Sequence, residues 1–281
     1  MSPTDHPTVT SQPQTTPKPF LKWAGGKTRL IPQYTTYFPD NYQTYYEPFL
    51  GGGAIFFYLQ PNRAILSDIN SELINAYQCV RDDTQSLISK LEQHQQNHNQ
   101  GYYYQMRSQK FENPLDQAAR LIYLNKTCFN GLYRENRQGQ FNVPMGKYKN
   151  PKICPKELLI TASKTLQSAT LQVQSFEAIV NEANSADDFV YFDPPYHPLS
   201  PTSNFTSYSH HKFGVDEQEK LAEIFKTLHN RGVKVMLSNS DTELIRDLYK
   251  DFNIHPIQAG RAINSNPQNR GKITELLITS Y

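Results

Sequence analysis

The stretch "YQTYYEPFLGGGAIFFYL", from Tyr42 to Leu59, and "AILSDIN", from Ala64 to Asn70, together decide the fold. The aromatic run before Glu47 has strand character, three glycines break it, and an apolar run with helical spacing follows. A second short apolar run then ends in an acid, Asp68. Strand, glycine turn, helix and strand in this order open a parallel α/β sheet. Gly51, Gly52 and Gly53 lack a Cβ, which lets a ligand approach the backbone at a helix N-terminus. Asp68 lies 17 residues past Gly51, near the roughly 20-residue offset at which an acid meets ribose hydroxyls. A nucleoside-bearing cofactor fits this pair, and so does a tight packing turn with a helix-capping Asp.

The α/β pattern resumes in the C-terminal third. "DDFVYFDPPY" reads as a strand, "VDEQEKLAEIFKTLHNRG" as a helix ended by Gly232, and "VKVMLSN" as a strand. "DTELIRDLYKDF" follows as a helix and "KITELLITSY" as a last strand. Between the two α/β parts, Ser71 to about Gln109 is polar with helical period, and "NPLDQAARLIYLNKTCFNG" offers Asn113 as N-cap, Pro114 at the first turn and Gly131 past the end. A mainly helical insert is expected over 71–156, dividing a catalytic part made of 20–70 and 157–281. Within the insert, "QGQFNVPMGKYKNP" has the Gly139 and Gly146 punctuation of a hairpin.

Charge is distributed unevenly. The formal net charge is +2, yet Arg120 to Lys156 holds eight bases against Glu135 alone, a local +7 that leaves −5 for the rest. A basic block in an otherwise acidic chain is the footprint of a protein that grips a polyanion, with a solvated basic face as the alternative. Residues 1–19 hold five prolines among Ser, Thr and Gln and are expected to be disordered. No apolar stretch approaches the roughly 18 residues of a membrane span, and the N-terminus has no signal-peptide core, so a cytoplasmic, nucleoid-associated location is expected. Cys79, Cys128 and Cys154 are far apart with no C-x-x-C, which argues for reduced thiols and against a metal site.

"VYFDPPYHPLS", from Val190 to Ser200, carries the chemistry. The two prolines cannot continue a ladder, so Asp193 stands at a stiff corner at the carboxyl end of a strand, where open α/β sheets bind ligands. An acid followed by Pro-Pro-aromatic suits methylation of an amino group whose lone pair is delocalised into a ring. Asp193 and the Pro194 carbonyl can accept the two N–H groups, and Tyr196 can pack on the ring. The gain is orientation and electrostatic preorganisation, since a sulfonium methyl is already activated.

From Phe20 to the C-terminus the chain resembles the Dam-type DNA adenine-N6 methyltransferases, which recognise GATC. The likeness rests on "FLKWAGGK", "EPFLGGGAIFF", "SDINSELI", "FNGLYRENRQGQFNVPMGKYK" and "DPPYHPLSPTSNFTSYSHHKFGVDEQEKLAE", in that order. It implies a Rossmann-like doubly wound sheet with an inserted recognition domain, S-adenosylmethionine as methyl donor, and double-stranded DNA as partner. It also implies that Trp23, Lys27, Gly51, Gly53, Asp68 and Asp193 bind the cofactor, and that Asp193, Pro194 and Tyr196 are catalytic. Lys22 would reach the first guanine, with Phe129, Asn130, Leu132 and Arg134 in a base-reading turn and Pro144 and Tyr148 beside it. An Arg can bond guanine O6 and N7 together and a Leu can touch a thymine methyl, while Lys147, Lys149 and Lys152 would hold phosphates.

Three positions depart from the family pattern. Phe129 stands where Tyr is usual, His197 follows the tetrapeptide, and the cofactor loop reads Gly-Gly-Gly-Ala. A phenyl ring can still wedge into the gap left by an extruded adenine. The segment "SPTSNFTSYSHHKFG" reads as a lid or a plain mobile loop. The same chemistry on RNA adenine, cytosine N4 or protein glutamine, and a silent DNA-binding protein, are rival readings. The basic block and intact Asp68 and Asp193 argue against them. A monomer is expected, and a restriction nuclease acting on the same site would be a separate chain.

Overall fold

A computed structural model describes residues 16–199, 213–260 and 272–281. The expectations of a disordered tail and of a lid fall mainly on 1–15 and 200–212, outside the described residues. The strands β1 (Thr44–Glu47), β2 (Ala64–Asp68), β3 (Ala169–Val173), β4 (Asp188–Phe192), β5 (Lys234–Ser240), β6 (Asn253–Gly260) and β7 (Lys272–Thr279) form one sheet in the order β3-β2-β1-β4-β5-β7-β6. β3, β2, β1, β4 and β5 are parallel. β7 runs antiparallel between β5 and β6.

Alternation along the central strands makes the sheet two-faced. On β4, Phe189 and Tyr191 enter one buried cluster while Val190 and Phe192 enter the other. Met236 and Leu277 of β5 and β7 join the first, and Val235, Leu237, Leu276 and Ile278 the second. A strand buried on both faces reads as an unbroken apolar run, which is how β4 appears in the sequence. Each such side chain, fully removed from water, contributes roughly 1.5–3 kcal/mol.

The helices α1 (Ile31–Tyr34), α2 (Ala54–Leu59), α3 (Ser71–Asp82), α4 (Thr84–Asn97), α5 (Gln100–Ser108), α6 (Pro114–Thr127), α7 (Lys156–Leu166), α8 (Ile179–Glu182), α9 (Val215–Asn230) and α10 (Glu243–Leu248) cover both faces. α9 and α10 pack through Leu221, Phe225 and Ile245 on the second cluster. α3 lies against β2 and β3 and is packed in turn by α6 and α7. Residues of α4, α5 and α6, among them Leu87, Leu91, Tyr103 and Leu121, share the first cluster with the sheet. Asn113 accepts from the N–H groups of Leu115 and Asp116, capping α6 as its sequence implies.

The hairpin expected in the insert reverses direction as read, but without continuous strands. The Asn136 N–H bonds the Gln140 carbonyl and the Gly139 N–H the Asn136 carbonyl, while isolated bridges pair Glu135 with Phe141 and Cys128 with Met145. Gly146 makes a close approach: a Cβ there would stand 2.4 Å from the Tyr148 ring and 2.8 Å from the Cys128 carbonyl. The three cysteines are free thiols. No helix among the described residues is long and apolar enough to cross a membrane.

Candidate active site

The parallel strands all deliver their carboxyl ends to one edge of the sheet, and the strand order reverses between β1 and β4. That reversal opens a crevice. Glu47 ends β1, Asp68 ends β2, and Asp193 follows the last residue of β4.

Asp193 is held from two sides. Lys27 Nζ is 2.7 Å from its Oδ1, with Lys27 only 4% exposed and Asp193 20%. Ser238 of β5 donates to the same Oδ1 at 2.9 Å and is itself 2.9 Å from the Tyr191 hydroxyl. Both contacts engage Oδ1, and Oδ2 has no hydrogen bond among the described residues. Lys27 Nζ also stands 4.7 Å from the Tyr196 ring centroid, and the Tyr196 hydroxyl donates to Glu275 at 2.8 Å.

The backbone after Pro194 is pinned by groups that sequence reading missed. Gln218 of α9 donates to the Pro195 carbonyl, Asn239 accepts from the His197 N–H and donates to Gln218, and Ser240 donates to the His197 carbonyl. These are neutral side chains, Asn239 and Ser240 at the end of an apolar run and Gln218 among the charges of α9, with no spacing that marks them. His197, which departs from the family pattern, enters through its backbone, while its Nδ1 is buried without a partner among the described residues.

Glu47 was also missed, although an acid ending a strand is the signal used for Asp68 and Asp193. It is buried, accepts from the Tyr45 hydroxyl and the Phe56 N–H, and its carboxyl is pushed up to about 8 by burial. At neutral pH it is mostly neutral, which leaves the Lys27 charge to Asp193.

The glycine loop and Asp68 meet as expected. Asp68 accepts from the N–H groups of Gly51 and Asn70, at 3.1 and 3.0 Å. Desolvation raises its carboxyl above the usual range while these N–H groups oppose the rise. Gly51 and Gly53 have φ of +47° and +64°, a region that favours glycine. A Cβ on Gly51 would stand 2.9 Å from the Trp23 indole, so glycine there also admits Trp23. Two N–H bonds leave lone pairs on Asp68 for a pair of hydroxyls, and beside it Ile69 is 54% exposed, an apolar surface for a flat base. The donor set fits a nucleoside.

Trp23 stacks on Tyr133, with centroids 5.3 Å apart, and so joins the glycine loop to the residues that follow Gly131. Asn125 of α6 clamps Lys22 to the turn, accepting from its N–H and donating to the carbonyls of Lys22 and Gly131. Gly131 has φ of +65°, and a Cβ there would meet the Lys22 side chain at 2.4 Å. The turn places Phe129, 49% exposed, and Asn130, with φ of +56°, on the surface. Phe129 N–H bonds the Pro144 carbonyl, and half-buried Leu132 follows the turn. Arg134 is exposed and bonded through Nε to Asn142. Lys22 Nζ lies 3.3 Å from the Tyr148 hydroxyl.

Lys22, Lys126, Lys147, Lys149 and Lys152 line one open cleft of about 470 Å³ with Tyr148. Lys126 was missed. Burial, reinforced by Lys22 and Lys18, pushes its ammonium down to about 8.

The antiparallel β7 inserted beside β5, the glycine loop, and the strand-terminal Asp-Pro-Pro-Tyr define a Rossmann-like methyltransferase. Residues 23–263 match the family model described as D12 class N6 adenine-specific DNA methyltransferase. The chain is 47% identical over 272 residues to the Type II methyltransferase M1.LlaDCHI of Lactococcus lactis subsp. cremoris, covering 94% of this chain and 95% of that protein. It is 43% identical to the Type II methyltransferase M.MjaIII of Methanocaldococcus jannaschii, covering 94% and 99%. It is 38% identical to the DNA adenine methylase of Escherichia coli strain K12, covering 92% and 93%. The chain belongs to the D12 class of N6 adenine-specific DNA methyltransferases, and is an adenine-specific DNA methyltransferase acting with a methyl donor.

Proposed function

We propose that the enzyme transfers the methyl group of S-adenosylmethionine directly to N6 of an adenine extruded from double-stranded GATC. The observation that carries this reading is Asp193 at the carboxyl end of β4, held through Oδ1 by Lys27 and Ser238 so that Oδ2 remains for the substrate. Oδ2 and the Pro194 carbonyl accept the two N6–H groups and localise the nitrogen lone pair for attack. Tyr196 walls the purine. When bound, the donor would supply an activated sulfonium methyl, with the N–C bond forming as the S–C bond breaks, and the proton displaced from N6 would leave to water. Asp68 receives the ribose hydroxyls of the donor, with Gly51, Gly53, Trp23 and Lys27 around it. Extrusion is needed because N6 inside a duplex is beyond reach of an acid held at the corner after β4.

The match of Phe129, Asn130, Leu132 and Arg134 to the Dam-type reading turn supports GATC, with Lys22, Pro144 and Tyr148 alongside and the lysine cleft on phosphates. Residues 71–156 act as the recognition unit on a catalytic body of 20–70 and 157–281. The protein works as a soluble monomer, with or without a nuclease partner. The test is Asp193→Ala, assayed for transfer of labelled methyl to a GATC duplex and for binding to that duplex. Lost transfer with retained binding is expected; wild-type turnover by the variant would remove Asp193 from catalysis.

A further inference from the structure

β7 brings a second carboxylate to the catalytic corner. Glu275 lies opposite Ser240 of β5 and Ile257 of β6, and it accepts from the Tyr196 hydroxyl at 2.8 Å. The prolines before Tyr196 restrict its backbone but not rotation of its ring. That rotation is stopped at two points, by Lys27 Nζ at 4.7 Å from the ring centroid and by Glu275 at the hydroxyl. Glu275 is half-buried, where desolvation raises its carboxyl while Lys27 and the Tyr196 hydroxyl pull it down. A phenol that donates to a carboxylate is richer in electron density, and an electron-rich ring attracts positive charge on its face more strongly.

We propose that Glu275 is a positioning residue for methyl transfer, holding Tyr196 by its hydroxyl so that the ring stays fixed and electron-rich beside the target base. The inference rests on the reading of Tyr196 as the wall of the adenine site. As the N–C bond forms and before the amine gives up its proton, positive charge develops at N6 of the base beside the ring. A ring that faces that charge interacts more strongly with the transition state than with neutral adenine. Loss of Glu275 therefore lowers kcat and spares KM.

The experiment is a double-mutant cycle on the full chain with labelled S-adenosylmethionine and a plasmid of mixed sequence, scored for total methyl transfer. Glu275→Gln keeps an acceptor of the same shape without the charge, and Tyr196→Phe keeps the ring without the donor. Glu275→Gln should lower kcat about five- to tenfold with both KM values within about twofold of wild type. In the Tyr196→Phe background the same change should lower kcat no further. Equal losses in both backgrounds, a loss confined to KM, or an unchanged kcat would overturn the proposal. Total transfer on mixed sequence does not depend on which site is recognised, so an error in assigning GATC leaves this result unchanged and is read instead from the positions of the methylated adenines.

Discussion

Replacing Glu47 by Gln should change the way stability depends on pH. The carboxyl titrates near 4.5 in the open chain and about 8 when folded, because burial disfavours its charge. Between those values the folded protein keeps a proton that the unfolded chain has lost. The native state binds more protons, so stability falls as pH rises, at up to about 1.4 kcal/mol per pH unit. From pH 5.5 to 7.5 this group alone costs the wild type about 2.5 kcal/mol. Glu47→Gln has no such proton to lose, and its carbonyl oxygen can still accept from Tyr45 and Phe56. Urea unfolding at pH 5.5, 6.5, 7.5 and 8.5, followed by fluorescence of Trp23, the one tryptophan of the chain, measures both proteins. The stability of the variant minus that of wild type should rise by about 2.5 kcal/mol from pH 5.5 to 7.5 and level off above pH 8.5. A difference independent of pH would mean that Glu47 is ionised in the fold at pH 5.5, and would refute the argument that it leaves Lys27 to Asp193.

Three other expectations concern DNA. Gly131→Ala places a Cβ at positive φ, which costs about 1–2 kcal/mol, and drives it into Lys22, so thermal unfolding should show lower stability and competition binding a weaker preference for GATC. Arg134→Ala should lose about 1–3 kcal/mol of discrimination at one base pair, whereas Lys149→Ala should weaken all sequences alike and reduce the salt slope by about 0.9; titrations on GATC and its single-base variants at several salt concentrations separate the two. Lys126 loses its proton near pH 8 in the free protein, so DNA affinity should fall between pH 7.5 and 9. Lys126→Arg, which stays charged, should flatten that fall, measured by fluorescence anisotropy.

The buried centre of the fold was legible because burial on both faces writes a continuous apolar run, as in β4, and because glycines and caps mark the turns around it. The sheet edges were not. β3, "ATLQV", pairs on one side only and alternates buried with open positions, and β6 contains Pro256, which an edge tolerates but which interrupts a strand pattern. In the site, the charged and glycine residues carried the signal, and the structure brings Lys27 to Asp193, Gly51 to Asp68, and Lys22 to the turn. Glu47 followed the same strand-end rule as Asp68 and was passed over. Ser238, Asn239, Gln218 and Glu275 could not have been read, because they reach the tetrapeptide through pairing registers and helix placement that only the folded chain specifies.

The most direct test of the account is to map N6-methyladenine at base resolution on unmethylated plasmid incubated with the purified protein and S-adenosylmethionine, beside an Asp193→Ala control. The account predicts methylated adenines in GATC on both strands with the wild type and none with the control. Methylation at another sequence would contradict the assigned reading turn, and methylation by the control would contradict the catalytic role of Asp193.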